Sequence, residues 1–222
     1  MPPNEAERLA ALREYQVLDT EAEAAYDDLT VLAAQICDVP VAMVSLVDED
    51  RQWFKSKLGL NRRQTPRDVA FCAHAISQPE PLIVRDALKD ERFANNALVK
   101  RAPRIRFYAG FPLATSEGHA LGTLCAIDRK PRVLSTRQTR AMESLARQVM
   151  VLLELRRVSA HLAKALKEIK TLSGLLPICA WCKRIRDDKG YWSQVEAYIH
   201  AHTDAGFTHG ICPDCFKKLD QK

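Results

Sequence analysis

At 222 residues, 47% hydrophobic and 27% charged, the chain holds one good-sized domain and a small extra module, and its composition excludes a collagenous or disordered protein. The net charge is +5, with 21 basic against 20 acidic side chains in residues 1–150 and 12 against 8 in residues 151–222, a basicity too slight to mark a nucleic-acid binder. Apolar runs such as Val39–Val47, broken by Pro40 and Ser45, fall short of the roughly 18–20 residues a membrane helix requires, and the opening MPPNEAERL lacks the apolar stretch of a signal peptide. No membrane contact is expected, and a cytoplasmic location is.

Leu9, Leu12 and Tyr15 share one face of a predicted helix over Asn4–Tyr15. Thr20 and Glu23 form a capping box ahead of Leu29, Leu32, Ala33 and Ile36, which predicts a second helix over 21–37, ended by Pro40. Val41–Val47 reads as a buried strand, Asp48–Asp50 as a turn, and Gln52–Lys57 as the antiparallel return. Further strands are predicted at Leu82–Val84, Phe107–Ala114 and Ala120–Ile127, with Gly118 in the turn between the last two. The polar, irregular stretch Asp86–Arg104 is expected to lie over one face of the sheet. Helices first, antiparallel strands next and a long helix last make an α+β domain over residues 1–150.

Thr136–Leu172 contains neither Gly nor Pro, and a long helix over 137–172 overlaps the domain end. Leu155, Val158, Leu162, Ala165, Ile169 and Leu172 step by 3, 4, 3, 4, 3, the spacing of a coiled-coil seam, and Leu145, Val149 and Leu152 extend the stripe upstream. The polar flanks Glu154, Arg156, Arg157, Lys164 and Lys167 favour an exposed helix that pairs in a homodimer; packing on its own domain is the alternative.

Ser173-Gly174 breaks the helix and opens a tail module over 173–222, in which Ser193 and Glu196 read as the capping box of a further helix. Roughly 45 residues bury too little apolar surface to fold robustly unaided. Three cysteines, Cys37, Cys72 and Cys125, are scattered through apolar sequence, whereas Cys179-Ala-Trp-Cys182 and Cys212-Pro-Asp-Cys215 are two CxxC pairs separated by 29 residues. Such pairs point two thiolates at one centre, and two of them complete a tetrahedral four-sulfur site for one structural zinc per chain, with no open position for catalysis. His209, three residues before Cys212, is expected beside the metal as support for the turn. Redox dithiols and an iron centre are the alternatives.

Among residues 1–150, Cys72 and His74 invite a thiolate and imidazole reading, but they share a face only if the segment is extended and point about 200° apart if it is helical. No orienting acid, Walker sequence, GxGxxG or HExxH accompanies them, so no catalytic residue is assigned. Arg106 and Tyr108, beside Ile105 and Phe107, are candidates with Cys72 and His74 for a ligand pocket over the sheet.

Gln16-Val-Leu-Asp-Thr20, Asp50-Arg-Gln-Trp-Phe-Lys-Ser56, Phe71-Cys-Ala-His-Ala-Ile76, Ile105-Arg-Phe-Tyr-Ala-Gly110 and Gly122-Thr-Leu-Cys-Ala-Ile-Asp128 together resemble a bacterial GAF sensory domain over about residues 5–155. The resemblance implies a central antiparallel sheet between terminal helices and a ligand cavity, dimerisation through those helices, and signalling to a kinase, cyclase or phosphodiesterase. It leaves the ligand open, since neither the NKFDE signature of cyclic-nucleotide binders nor the Cys-His dipeptide of bilin attachment is present. The tail resembles a cysteine-rich module at the ends of two-component and other sensory proteins. The expectation is a sensor or adaptor that relays an unknown small ligand through a dimeric helix to a zinc module and a signalling partner. The alternatives are a redox enzyme using Cys72 or Cys125, and a nucleic-acid-binding regulator acting through Trp181, Lys183, Arg184, Arg186, Lys217 and Lys218.

Overall fold

The computed structural model describes residues 4–168, 176–187, 189–203 and 205–219, in two compact units, 1–161 and 162–222. The first unit opens with α1 (Glu5–Glu14) and α2 (Ala24–Cys37), then β1 (Val41–Val47), β2 (Arg51–Leu58) and β3 (Gln64–Pro66). There follow α3 (Phe71–Ala75), β4 (Leu82–Val84), α4 (Ala97–Lys100), β5 (Phe107–Ala114) and β6 (Ala120–Asp128). The helix α5 (Thr136–Glu168) leads out of this unit. The strands form one antiparallel sheet in the order β3-β2-β1-β6-β5-β4.

Residues of each central strand alternate between two cores, because successive side chains in a strand point to opposite faces. Ala42, Val44 and Leu46 of β1, with Phe107, Ala109 and Phe111 of β5, face a core shared with Leu12, Tyr26, Ala33, Met142 and Val149 of the helices. Met43, Tyr108 and Cys125 point the other way, into a core closed by Phe71, Phe93, Val99 and Ile105. Burial on both faces makes these strands read as nearly continuous apolar runs. The irregular stretch after β4 does cover one sheet face, through Phe93 and Val99. Strand β3 has no counterpart in the sequence reading, being three residues long and mostly polar.

The predicted Thr20–Glu23 capping box does not form, and α2 starts three residues later than 21. Thr20 instead donates to the Val17 carbonyl, and Glu23, at the N-cap of α2, makes no side-chain cap. Both are taken by Lys55, whose ammonium donates to Thr20 Oγ1 (2.9 Å), the Glu21 carbonyl (2.7 Å) and Glu23 Oε1 (2.5 Å). Pairing steps from Val44 opposite Ser56 to Ser45 opposite Phe54, which leaves Lys55 as the extra residue of a bulge in β2. The bulge lets Lys55 and Ser56 both reach the helix layer, where Ser56 donates to Asp27 at 2.6 Å.

Gly122 sits where β6 passes closest to β1: an added Cβ would meet the Ser45 carbonyl oxygen at 1.9 Å. Gly118 turns the chain between β5 and β6 with φ of +89°. Beyond the sheet, the fully buried Arg8 forks onto Glu5, whose carboxylate also takes Arg67 at 2.6 Å. Arg67 in turn donates to the carbonyls of Asp48 and Glu49, so α1 is tied to the β1–β2 turn.

Burial opposes ionisation of Glu5, but hydrogen bonds and charge from Arg8 and Arg67 overcome it and hold the carboxyl at about 2. A carboxyl lowered on folding contributes stability that is complete above its unfolded pKa and lost as pH falls through the folded one. Glu5→Gln should therefore cost about 2 kcal/mol at pH 7, and the gap to the unaltered protein should shrink as pH drops from about 4.5 towards 2. Urea unfolding across that range measures it; a gap independent of pH would show that the carboxylate is not the anchor.

Candidate functional site

One sulfur gathers four strands. The short helix α3 turns Cys72 under the sheet at 1% exposure, and its Sγ accepts from Ser45 of β1 (3.2 Å), Gln52 of β2 (2.9 Å), Tyr108 of β5 (3.2 Å) and Thr123 of β6 (3.0 Å). Ser45 and Thr123 are register partners on neighbouring strands, so their side chains meet over the same point. Phe71 precedes the sulfur and stacks on Phe93 at 4.1 Å between ring centres, with Tyr108 tilted against it at 5.1 Å.

Burial by itself pushes a thiol up, and Cys125, in the same core, follows that rule and is raised well above its ordinary value. For Cys72 the burial is outweighed by hydrogen bonds from Cys125, Ser45, Thr123 and Tyr108, which bring it down to about 6. The two thiols are thus pushed in opposite directions, Cys72 down by its donors and Cys125 up by burial and by Cys72. Burial, and then the neighbouring Cys72, push the Tyr108 hydroxyl up as well.

This polar group borders a cavity of about 250 Å³. Met43, Phe54, Leu60, Phe71, Ile105 and Ile127 supply apolar wall, Gln52, Cys72 and Tyr108 its buried polar end, and Asn61, Arg62 and Arg129 are exposed at its outer side. Of the four pocket candidates, Cys72 and Tyr108 therefore line the cavity. Because Phe71–Ala75 is helical, His74 points elsewhere, exposed, with its ring edge-on to Phe93 at 4.8 Å. Arg106 makes a two-pronged bond to Asp86 at 2.8 and 2.9 Å. Ser45, Gln52 and Thr123 escaped sequence reasoning. For Ser45 and Thr123 the one signal was a polar residue interrupting an otherwise apolar strand; Gln52, in the largely polar β2, gave none.

In the second unit, β7 (Ile185–Arg186) pairs with β8 (Trp192–Ser193), followed by α6 (Val195–His202) and α7 (Pro213–Leu219). Ser193 belongs to β8, so it does not cap α6, whose N-cap is Gln194. The Asp187–Gly190 turn forms as expected, with Asp187 Oδ1 accepting from the Lys189 and Tyr191 amides.

Cys179 and Cys182 sit on a turn closed by Cys179 N–H to the Arg184 carbonyl (2.8 Å), with Lys183 at φ of 61°. The Cys182 amide donates to Cys179 Sγ, and the Cys215 amide to Cys212 Sγ, each at 3.5 Å. Cys212 immediately precedes α7, with Pro213 at the first helical position. Backbone amides of Cys182 and Trp181 lower the Cys179 thiol, and those of Cys215 and Asp214 lower Cys212. Each CxxC is thus built as a turn that favours thiolate. Among the described residues no three His, Cys, Asp or Glu side chains converge as a metal group, and the four cysteines and His209 are not gathered into one.

On α5, Met142, Ala146, Val149 and Leu153 are buried against the first unit's core, while Leu155 (65% exposed), Val158 (55%) and Leu162 (59%) are not. Ala165 is also exposed; Ile169 and Leu172 lie outside the described residues. No helix among the described residues is long and apolar enough to cross a membrane.

Comparison with known proteins agrees with this architecture: the GAF domain family matches residues 21–153. The chain belongs to the GAF domain family. It is 43% identical over 150 residues, 67% of the chain, to a cyclic di-GMP phosphodiesterase of Pseudomonas aeruginosa, and spans 26% of that protein's length. Among solved structures, the blue-light absorbing form of the PixJ GAF domain from Thermosynechococcus elongatus is 16% identical with a TM-score of 0.52, covering 72% of this chain and 96% of that one. A domain assigned to a two-component sensor histidine kinase from Sinorhizobium meliloti is 20% identical with a TM-score of 0.50, covering 64% and 97%. At these identities the two structures show a shared fold.

Removing the shared acceptor tests the construction of the site. Cys72→Ala strips Tyr108, Gln52 and Thr123 of their common partner inside the core and should cost about 1–3 kcal/mol by urea unfolding. Adding Tyr108→Phe should recover part of that loss, since an orphaned hydroxyl costs more than an absent one. Strictly additive losses would show that the hydroxyl does not depend on the sulfur.

Proposed function

We propose that the GAF domain is the input half of a signalling protein: its cavity binds a small organic ligand, and the occupied state is read out through α5 and the cysteine-rich tail. The observation that carries this reading is the cavity itself, mainly apolar, with a few convergent polar groups at its buried end, the usual make-up of a small-molecule site. Its exposed Arg62 and Arg129 favour a ligand with an apolar body and an anionic end. Similarity to part of a cyclic di-GMP phosphodiesterase, and in fold to a domain assigned to a sensor kinase, supports a sensory role.

The tail is proposed to be held by one zinc ion on Cys179, Cys182, Cys212 and Cys215, with His209 supporting the second turn. Zinc there would supply structure, because four thiolates fill its tetrahedral shell. Two independent facts support it: both turns already direct amides at their first sulfur, and Ile185 is the one buried hydrophobic residue among the described residues of the tail. A module with so little core needs a further source of folding free energy, and metal binding is one. Leu155, Val158 and Leu162 are proposed to pair with the same residues of a second copy, since their spacing matches a coiled-coil seam and all three are solvent-exposed. The exposed Trp181 of the tail is the proposed contact for a signalling partner.

Native mass spectrometry of the gently purified 222-residue chain tests all three parts in one spectrum. The expected species is a dimer with one zinc per chain and an organic mass carried from the host. Cys179→Ser should abolish the zinc, and Leu155→Asp with Leu162→Asp should halve the mass while keeping the metal. A zinc-free protein under reducing conditions would overturn the tail assignment, and a monomer at micromolar concentration the helix pairing.

A further inference from the structure

We propose that the Cys72 sulfur is a reaction centre for small organic hydroperoxides, with Cys125 as its resolving partner; this rests on the reading of the cavity as a ligand chamber. Four donors converge on Cys72 Sγ, one from each central strand. A neutral thiol sulfur is a weak acceptor, whereas an anionic sulfur is a strong one, so the arrangement suits a negative charge at that atom. The nucleophile of thiol chemistry is the thiolate, and its fraction sets reactivity. Cys125 projects into the same core, within hydrogen-bonding reach of Cys72. The apolar cavity wall ends on this sulfur and gives it a route of approach for an uncharged or amphipathic oxidant. Cys37 provides the contrast: it is buried in the helix-side core, its thiol pushed up to about 11.

The chemistry balances with the hydroperoxide as oxidant. The thiolate attacks one peroxide oxygen, forming an S–O bond as the O–O bond breaks, and sulfur gives up two electrons. The departing alkoxide takes a proton from water and leaves as an alcohol, with sulfenic acid on Cys72. The Cys125 sulfur then displaces the hydroxyl, which leaves as water with the Cys125 proton, and a Cys72–Cys125 disulfide remains. Closing that bond moves α3 and β6, the two elements that carry the cysteines, relative to each other, so oxidation is itself the signal.

The test uses the reduced, zinc-loaded full chain, exposed to cumene hydroperoxide or hydrogen peroxide and mapped without reduction. Tryptic cleavage yields Asp68–Arg85, with Cys72, and Phe107–Arg129, with Cys125. The expected product is these two peptides joined, formed faster with cumene hydroperoxide; in Cys125→Ser a dimedone adduct on Cys72 should replace it. The Cys72 rate should be flat from about pH 7 to 9, while that of Cys37 rises roughly tenfold per unit. Tyr108→Phe, which keeps the sulfur but removes one donor, should move the acid limb of the Cys72 profile up by about one to two pH units. Oxidation of Cys72 no faster than Cys37, or faster with hydrogen peroxide than with cumene hydroperoxide, overturns the proposal. Uncharged iodoacetamide separates the two levels. If it alkylates Cys72 while hydroperoxides leave it reduced, the cavity stands and the redox chemistry fails; if neither reaches Cys72, the cavity reading fails as well.

Discussion

A single buried sulfur is the acceptor on which the four central strands agree. Ser45, Gln52, Tyr108 and Thr123 each come from a different strand, and each spends a polar group inside an otherwise apolar layer. Such groups are tolerated only when paired, and the register that pairs them is the register that holds the sheet. A one-residue slip of β6 against β1 would turn Thr123 away from Ser45 and from Cys72 together. The site is therefore a by-product of correct strand pairing and, equally, a check on it. The polar end of the cavity comes ready-made, because α3 has only to carry Cys72 beneath a sheet that already presents its donors.

Strand β2 has a second task on its other face. Three residues beyond Gln52, the bulge at Lys55 sends a side chain with no solvent exposure into the helix layer, where three oxygens satisfy its ammonium and the Tyr26 ring lies 5.2 Å away. An ammonium buried without such partners would be strongly destabilising. Glu23 is shared: Lys55 holds Oε1 from the sheet side, and Arg156 of α5 approaches the same oxygen at 2.7 Å. Tyr15 donates to Glu154, two residues before Arg156 on α5. One strand thus touches the sulfur cluster with Gln52 and an ion pair to the outgoing helix with Lys55. A shift of β2 that loosens one contact alters the geometry of the other, which is the physical requirement for a cavity to influence α5.

The sheet was legible in the sequence because burial on both faces made β1, β5 and β6 apolar runs with turn residues between them, and the boundaries of β1 and β5 agree to the residue. The helix caps were misread for a definite reason. Thr20 and Glu23 have the spacing of a capping box, but a buried ammonium is a stronger claimant on both than a helix end that water can solvate. Ser193 likewise belongs to a strand. The cavity was half legible: Cys72 and Tyr108 stood out as residue types, whereas Ser45, Gln52 and Thr123 acquire meaning only across strand pairings up to 78 residues apart. His74 and Cys72 stand two residues apart in sequence, and the helical turn of α3 parts them.

The tail poses the opposite problem, a cysteine pattern legible in sequence with little packing to hold it. Trp181 is 95% exposed, Ile178 51%, Ile211 63% and Phe216 59%, a large apolar content for a small module to leave in water. Polypeptide alone gains little by ordering such a segment, since the conformational entropy of fixing each residue runs to about 1–2 kcal/mol. The turns at Cys179–Cys182 and Cys212–Cys215 have nevertheless already taken the shape in which amides point at sulfur. Local backbone geometry thus favours thiolate at each turn separately, and the proposed zinc, or a partner that covers the aromatic surface, would supply the folding free energy the module lacks. The first satisfies the sulfurs and the second the exposed rings, so the two act on different parts of the module and are compatible. On the proposed reading, a module with so small a core would offer little resistance to a change arriving along α5.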